Sequence, residues 1–260
     1  STREYRQVSD YLESLYSKYN IDNLPYGKQS DALGDLYEEY VSYVFSNDDI
    51  VEKFNNKTLV GFWGQQEDLF FSVCEEYNIE HVSDIEIISV PPRDTRGSPK
   101  TDVCVKINDT IIKISIKQSH AKAIAVAEFD VDTISKEVGI TDMELVSLME
   151  KFQRDGSGKN FELVEKQELT ERMHNFKHDF VRWAISGTRD INSDDLRAAN
   201  HTIMFMIDKN TKRLKGFSTY TIEKQISKIT SKSSGYGTGL SWTYATGSKG
   251  KKIQLKCPVI

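Results

Sequence analysis

The sequence lacks the features that identify membrane, secreted and disulfide-rich proteins. No run approaches the roughly 18 uninterrupted apolar residues that a membrane helix requires. The first residues contain no apolar segment, so we expect no secretory signal. Three cysteines, Cys74, Cys104 and Cys257, are odd in number and widely spaced, with no CxxC pair. We therefore expect reduced thiols in a cytoplasmic protein, and neither a disulfide framework nor a zinc knuckle.

The chain also lacks internal repeats, low-complexity tracts and a Pro/Gly/Ser linker long enough to separate two independent domains. Its 260 residues, 38% hydrophobic and 28% charged, have an ordinary globular composition and are enough for a sizeable core. These features predict a single domain spanning residues 1–260.

Positive charge is concentrated towards the end of the chain. The net charge of −5 argues at first against nucleic-acid binding. From Arg197 to Ile260, however, there are twelve Lys or Arg residues against Asp208 and Glu223, a net of +10, which leaves −15 for the first 196 residues. This asymmetry predicts a surface for a polyanion within residues 197–260. A solvated, lysine-rich surface would give the same composition.

Hydrophobic spacing predicts an α/β (α+β) chain in which helices surround a mixed central sheet. The first third is expected to be helical, with Ser30 or Asp31 capping the first long helix. A capping box from Thr141 to Glu144 predicts a further helix. The predicted helices cover 33–44, 66–77, 143–153 and 166–185. The predicted strands outside the segment discussed next are 85–90, 202–208, 213–220, 240–244 and 251–257, with a proline-rich loop at 91–99.

The segment from Asp102 to Lys117 alternates between apolar and polar residues around Asn108-Asp109. This pattern predicts a β-hairpin with a two-residue type I′ turn and one aliphatic face in the core. In that register the numbers of paired residues sum to 217, so Asp102 would lie opposite Ser115, with Lys117 as the diagonal neighbour. Opposed Cβ atoms are about 5 Å apart and diagonal ones about 7–8 Å.

An acidic residue, a small polar residue and a lysine would thus meet at one end of the hairpin, which suits phosphodiester hydrolysis. Carboxylate oxygens bind Mg²⁺, and the ion polarises the phosphate and acidifies a bound water. A lysine beside it can orient the water and offset negative charge on the phosphoryl oxygens. The D…xK spacing is loose and common, and it also fits a half-exposed hairpin with a surface Asp and Lys.

Several segments carry a resemblance to a known family. Gly97-Ser98-Pro99-Lys100-Thr101-Asp102, with Ser115-Ile116-Lys117, resembles the PD-(D/E)xK nucleases. Over nearly the whole chain the sequence is similar to the MspI family of type II restriction endonucleases, which cut within CCGG. The further matching segments are 30–38, 127–134, 139–140, 166–167, 237–240 and 242–244. A long collinear likeness is much more specific than the D…xK pattern, and it favours the nuclease interpretation.

The resemblance implies roles for the residues of the hairpin. Asp102 would be a metal ligand and Lys117 the catalytic lysine. Ser115 stands at the catalytic position where most of the superfamily has Asp or Glu and the family has Asn. Because a hydroxyl is not an anionic ligand, we expect one Mg²⁺ ion held through Asp102, water and a backbone carbonyl, that of Ile116. Glu38 matches a helical glutamate that approaches this site and could hold metal-bound water, although a solvated helix carboxylate is the alternative.

The resemblance also places base recognition in a C-terminal β-hairpin. Lys donates to guanine O6 and N7, while Gln and Thr serve as donor or acceptor to base edges. Ala125 replaces a serine at a DNA-binding position, and Thr246 stands where the family has Ser, so one base preference could differ. The positions that match base contacts are Thr243, Thr246, Gln254 and Lys256. The lysines expected to bind phosphates are Lys249, Lys251 and Lys252.

Together these features imply a cytoplasmic, Mg²⁺-dependent type II restriction endonuclease that cuts double-stranded DNA at a short palindrome, CCGG, and leaves 5′-phosphates. A monomer or a homodimer is compatible with such a site, and a modification methyltransferase is implied as a genetic partner, not as part of a complex. The alternatives are a structure- or damage-directed nuclease of the same fold, a DNA-binding protein that is catalytically weak because of Ser115, and a purely structural protein.

Overall fold

The computed structural model describes residues 2–5, 8–57 and 65–259. The chain forms two compact units, each made of two separate segments. Unit 1 consists of Ser1–His120 and Asp195–Thr221. Unit 2 consists of Ala121–Asp194 and Ile222–Ile260. Residues 197–221, expected to belong to a C-terminal recognition region, are therefore part of the same unit as the hairpin at 102–117. The single-domain organisation stays a prediction.

Unit 1 contains a mixed sheet in which six strands are described, in the order β1-β7-β6-β4-β3-β2. Strands β4 and β6 run parallel, and the other neighbours are antiparallel. The strands are β1 (Thr2–Glu4), β2 (Ile85–Ile88), β3 (Val103–Ile107), β4 (Thr110–Ser119), β6 (His201–Ile207) and β7 (Leu214–Thr221). The predicted mixed sheet with surrounding helices is confirmed.

The helices of unit 1 supply most of its apolar core. They are α1 (Asp10–Lys18), a 3₁₀ turn (Ile21–Asn23), α2 (Tyr26–Phe45), α3 (Asp48–Asn56) and α4 (Gln65–Glu76). Helix α2 buries one face against the sheet, where Tyr37 stacks on Phe205 with ring centroids 4.4 Å apart. The predicted cap at Ser30 or Asp31 is wrong. The helix begins earlier because Pro25 is its N-cap and the Pro25 carbonyl accepts from the amides of Lys28 and Gln29.

The hairpin of β3 and β4 has the predicted register, since Val103 pairs with Ile114 and Ile107 with Thr110. Its aliphatic face lies in the core, as expected. The predicted type I′ turn is wrong: it needs a positive φ at both central residues, whereas Asn108 has a φ of 54° and Asp109 does not have a positive φ. Long-range contacts explain this, because the Asn108 side chain accepts from the amide of Ser83 and donates to the carbonyl of His81.

Unit 2 contains a three-stranded antiparallel sheet within its described residues, in the order β5-β9-β8. Its strands are β5 (Ala123–Phe129), β8 (Ser241–Thr243) and β9 (Ile253–Pro258). The C-terminal pair of strands is therefore confirmed. Its helices are α5 (Val131–Val138), α6 (Met143–Asp155), α7 (Leu163–Met173), α8 (Lys177–Ser186) and α9 (Ile222–Thr230). Nowhere in the described residues is a helix long and apolar enough to span a membrane.

Two helix predictions in unit 2 need correction. The N-cap of α6 is Asp142, not Thr141, because the Asp142 carboxylate accepts from the amides of Glu144 and Leu145. The predicted helix 166–185 is two helices, α7 and α8, separated at 174–176. Helix α7 begins before the predicted start, at a capping box in which Glu162 and Glu165 each accept from the other's backbone amide.

Candidate active site and nucleic-acid interface

Glu38 and Asp102 form a hydrogen-bonded pair of carboxyl groups in unit 1. Glu38 lies on α2 beside the buried residue Tyr37, and Asp102 immediately precedes β3. Burial, followed by the charge of Asp102, raises the pKa of Glu38 to about 7. Burial also raises the pKa of Asp102. The raised pKa values show that placing two negative charges here is unfavourable, and a divalent cation bound between the carboxyls would offset that cost.

The backbone of the hairpin fixes the position of Asp102. Its amide donates to the carbonyl of Ile114 at 2.8 Å, and its Oδ2 accepts from the amide of Ile116 at 2.7 Å. The paired ladder ends at Val103, so the expected direct pairing of Asp102 with Ser115 is wrong. The physical reason is that the Asp102 carboxylate binds the Ile116 amide where β4 leaves β3 and pairs with β6.

Two lysines act electrostatically on Asp102. The positive charges of Lys117 and Lys100 both act to lower the pKa of Asp102 against the effect of burial. Burial lowers the pKa of Lys100 to about 8, and repulsion from Lys117 adds to the effect. Lys117 was predicted, whereas sequence reasoning assigned no role to Lys100. The sequence signal that could have indicated Lys100 was its position two residues before Asp102.

The donor atoms fit a hard divalent cation. Glu38, Asp102 and the Ile116 carbonyl are oxygen donors, which Mg²⁺ prefers over nitrogen or sulfur. No group of three or more His, Cys, Asp or Glu side chains suited to a metal occurs in the part of the chain that is described. Ser115 lies on β4 opposite Thr202 of β6 and is 2% exposed. Because a serine hydroxyl is neutral, Ser115 adds no negative charge to this site. The catalytic role of Ser115 stays a prediction.

Arg197 anchors the loop that leads into Asp102, a contact that sequence reasoning missed. The guanidinium is 8% exposed and donates to the carbonyls of Pro92 at 2.7 Å and Gly97 at 2.6 Å. It also lies 3.3 Å from Asp94 Oδ1. The Arg197 carbonyl accepts from the amides of Lys100 and Thr101. One residue, distant in sequence, thus fixes both ends of the 92–101 loop.

The predicted base-contacting residues on β-strands share one surface of unit 2. Cross-strand partners point to the same side of a sheet. Lys256 of β9 pairs with Ala125 and Ser241, and Gln254 pairs with Glu128 and Thr243. On the opposite side, Ile253 and Leu255 are buried in the core. We call the polar side the recognition face; it carries Ala125, Glu128, Ser241, Thr243, Gln254 and Lys256.

The remaining predicted DNA-binding residues lie in the β8–β9 loop, residues 244–252. Thr246, Lys249, Lys251 and Lys252 are all exposed there. The loop is ordered by local bonds, since the amides of Lys251 and Lys252 both donate to the Ser248 carbonyl. It is also tied to the rest of unit 2. Ser248 Oγ donates to Glu128 Oε1 at 2.9 Å, and the amide of Gly250 donates to the carbonyl of Gln153.

Comparisons with known proteins identify the family of the chain. Residues 22–257 match the model of the family described as restriction endonuclease MspI. The type II restriction enzyme MspI of Moraxella sp is 33% identical over 266 residues, which cover 95% of this chain and 99% of that enzyme. The crystal structure of restriction endonuclease MspI in complex with its cognate DNA superposes with a TM-score of 0.84 and 31% identity, covering 95% of this chain and 99% of that one. The chain therefore belongs to the MspI family of restriction endonucleases.

Proposed function

We propose that this protein is a type II restriction endonuclease that hydrolyses phosphodiester bonds of double-stranded DNA at CCGG and leaves 5′-phosphates. The observation that carries the proposal is the Glu38–Asp102 carboxyl pair with Lys117 beside it, in a chain of the MspI family. An acid and a lysine of the hairpin, with a second acid from α2, are the groups that metal-assisted phosphodiester hydrolysis requires.

Restriction endonucleases depend on a divalent metal ion, and we propose Mg²⁺ for this one. Asp102, Glu38 and the carbonyl of Ile116 would hold the ion together with water. When bound, Mg²⁺ polarises the scissile phosphate and acidifies a water ligand. Lys117 offsets the negative charge on the phosphoryl oxygens and orients the attacking water. Because Ser115 is neutral, two acidic side chains remain, and this charge suits one ion better than two.

DNA recognition is proposed for unit 2. Lys256 donates to guanine O6 and N7, and Gln254 and Thr243 donate to or accept from base edges in the major groove. Ala125 lies on the same face without a hydroxyl, and Thr246 supplies one from the β8–β9 loop. Three lysines of that loop bind phosphates and fix the register of the protein on the duplex. They are Lys249, Lys251 and Lys252.

The cellular setting follows from the activity. A nuclease that cuts CCGG requires a methyltransferase that protects the same sequence in the host, encoded with it but not bound to it. We propose that the enzyme acts in the cytoplasm, where its three free and buried cysteines stay reduced. Either a monomer or a homodimer can serve a palindromic site.

A digest of defined plasmid DNA with Mg²⁺, followed by sequencing of the ends, tests this function. We expect cuts at every CCGG and nowhere else, with 5′-phosphate ends. Asp102→Ala and Lys117→Ala should abolish cutting while sequence-specific binding persists. Random nicking, or a preference for branched or nicked DNA, would contradict the proposal.

The neutral Ser115 favours one second candidate, a protein that binds CCGG but cleaves weakly. Ser115→Asp supplies an acid where most of the superfamily has one. If the native protein is a weak nuclease, this variant should cut faster. A native protein that binds CCGG and does not cut at any Mg²⁺ concentration would support this candidate over the nuclease.

A further inference from the structure

Glu128 is an acidic side chain on a surface that is otherwise suited to DNA. It lies on β5 directly opposite Gln254, and Gln254 in turn pairs with Thr243 of β8. Lys256 follows two residues after Gln254 on the same side of β9. Glu128 is half-buried, and its pairing places it among the predicted base-contacting residues of the recognition face.

A carboxylate at this position is unfavourable opposite DNA phosphates, because both are negatively charged. It becomes favourable only where it accepts hydrogen bonds from the DNA. In the major groove the base donors are the amino groups of cytosine N4 and adenine N6. A CCGG site contains no adenine, which leaves cytosine N4 as the donor of matching chemistry.

The contact with Ser248 holds the carboxylate in place. Ser248 Oγ donates to Glu128 Oε1 at 2.9 Å from the β8–β9 loop. A carboxylate has acceptor sites for about four hydrogen bonds, so this contact orients the group and leaves capacity for a base. The same contact joins the recognition face to the loop that carries the phosphate-binding lysines.

We propose that Glu128 determines specificity for cytosine by accepting a hydrogen bond from the N4 amino group of one cytosine in each half of the CCGG site. This inference rests on the proposed function and adds to it a residue to which the family resemblance assigned no role. Lys256 and Glu128 then recognise different bases: the lysine donates to guanine acceptors, and the carboxylate accepts from a cytosine donor. A thymine at that position would present its O4 acceptor to the carboxylate and be rejected.

Duplexes that lack single amino groups test the proposal. Each cytosine of a CCGG duplex is replaced in turn by a 2-pyrimidinone nucleoside, which has hydrogen in place of the N4 amino group. For the native enzyme we expect kcat/KM to fall about 10- to 100-fold at one cytosine position, the range of a charge-assisted hydrogen bond. Glu128→Ala should cleave that duplex and the unmodified one at similar rates.

Two further variants separate recognition from support of the loop. Glu128→Gln preserves the shape and one acceptor oxygen, so it remains folded and should lose part of the discrimination. Ser248→Ala removes the loop contact but keeps the carboxylate, so it should retain the preference for the amino group. If both Glu128 variants slow cleavage of all duplexes by the same factor, Glu128 only supports the loop and the proposal is wrong.

The unmodified duplex distinguishes this failure from failure of the proposed function. A native enzyme that does not cleave the unmodified CCGG duplex overturns the nuclease assignment, and the cytosine proposal falls with it. A native enzyme that cleaves it, yet shows no loss at any 2-pyrimidinone position, overturns the cytosine proposal alone.

Discussion

At the scale of single residues, the active site brings together groups that would be more stable apart. Glu38 and Asp102 are two acids in contact, and burial raises the pKa of both. Lys100 and Lys117 are two cations whose mutual repulsion contributes to the lowered pKa of Lys100. Such arrangements are common where a protein binds a charged ligand, because the ligand relieves the repulsion. In the proposed function, a divalent cation would relieve the repulsion between the acids, and a phosphate would relieve that between the lysines.

Replacement of Glu38 should weaken the response to metal without loss of DNA binding. Glu38→Gln keeps the size of the side chain and removes one of two negative charges beside the proposed ion. Loss of such a group lowers metal affinity or activity by about 10- to 100-fold. We therefore expect the Mg²⁺ concentration for half-maximal cleavage to rise by about that factor. Rates of plasmid cleavage across a Mg²⁺ titration measure it.

Asp31→Asn on the same helix is the matched control for Glu38→Gln. Asp31 is exposed, so its loss should leave the Mg²⁺ titration unchanged. An unchanged midpoint for Glu38→Gln as well would mean that Glu38 is an ordinary helix carboxylate and not part of the metal site.

Arg197→Lys should reduce turnover by displacing Asp102. A lysine cannot donate to the carbonyls of Pro92 and Gly97 in the way that the planar guanidinium does. We expect a loss of about 2 kcal/mol in the free energy of unfolding, since buried acceptors lose their donors. We also expect kcat to fall by roughly 10-fold or more with little change in KM, because a small misplacement of a catalytic group is costly.

Urea unfolding and steady-state cleavage of a CCGG duplex measure these two effects. Arg96→Lys is the control, because Arg96 contacts Asp94 from an exposed position. It should change neither quantity. If Arg197→Lys is less stable and yet has an unaltered kcat at a temperature where it is folded, Arg197 has only a structural role.

The sequence predicted the hairpin of the candidate site but not the roles of Arg197 and Glu128, and both omissions have the same cause. Alternation around Asn108 predicted the register that brings Asp102 near Lys117, because strand period and turn length are local properties. The anchoring of the loop by Arg197 depends on contacts across about 100 positions of sequence. No local pattern contains that information. The same holds for Glu128, whose position on the recognition face follows only from pairing with β9.

At the scale of elements, the turn of the β3–β4 hairpin shows how tertiary contacts override a local rule. Asn108-Asp109 suits a type I′ turn by itself. In the fold, however, Asn108 Oδ1 accepts from the backbone amides of Ser83 and Asp84. The backbone amide of Asn108 donates to the carbonyl of Asp84. These bonds fix the conformation of Asn108, and Asp109 adopts a negative φ.

The hairpin should therefore be sensitive to substitution at Asn108 in two separable steps. Asn108→Gly allows positive φ but loses the side-chain bonds, and should cost about 1–2 kcal/mol of unfolding free energy. Asn108→Ala loses the same bonds and, unlike glycine, keeps a Cβ at positive φ, so it should cost about 1 kcal/mol more than Asn108→Gly. Urea unfolding measures both values. Asp109→Ala, at the exposed second position, should lie within about 0.5 kcal/mol of the native protein. Equal costs for all three variants would contradict this account.

Helix boundaries were less predictable than strand register, for reasons visible in two elements. The start of α2 depends on a proline N-cap without a side-chain bond, which leaves no Ser, Thr, Asp or Asn signal in the sequence. Helices α7 and α8 bury Met173 and Phe180 in the same core, so their apolar spacing continues across the break. Spacing identifies the buried face of a helical segment, but it does not show that the segment is uninterrupted.

At the scale of the whole molecule, the charge asymmetry of the sequence divides between the two units. Of the net +10 in residues 197–260, residues 197–221 carry +4 within unit 1 and residues 222–260 carry +6 within unit 2. In unit 1, Arg213 is ion-paired with Glu13 and Asp22, so part of that positive charge is already neutralised. In unit 2, the four lysines from Lys249 to Lys256 lie on the recognition face or in the β8–β9 loop. The positive charge available to DNA is therefore more local than the sequence suggested.

This distribution predicts how DNA affinity depends on salt. Each phosphate contact releases counterions, so removal of one phosphate-binding lysine lowers the slope of log affinity against log salt by about 1. We expect this change for Lys251→Ala and for Lys252→Ala, with CCGG preferred over other sites as strongly as before. Lys256→Ala should instead reduce the preference for CCGG, because it removes a base contact. Binding to CCGG and unrelated duplexes between low and moderate salt gives both quantities.

Lys136→Ala is the control, since Lys136 is on the same unit and paired with Asp132 at 2.9 Å. The salt slope of this variant should equal that of the native protein. If Lys251 and Lys252 leave the slope unchanged, the β8–β9 loop does not contact phosphates, and the cluster is a solvated surface.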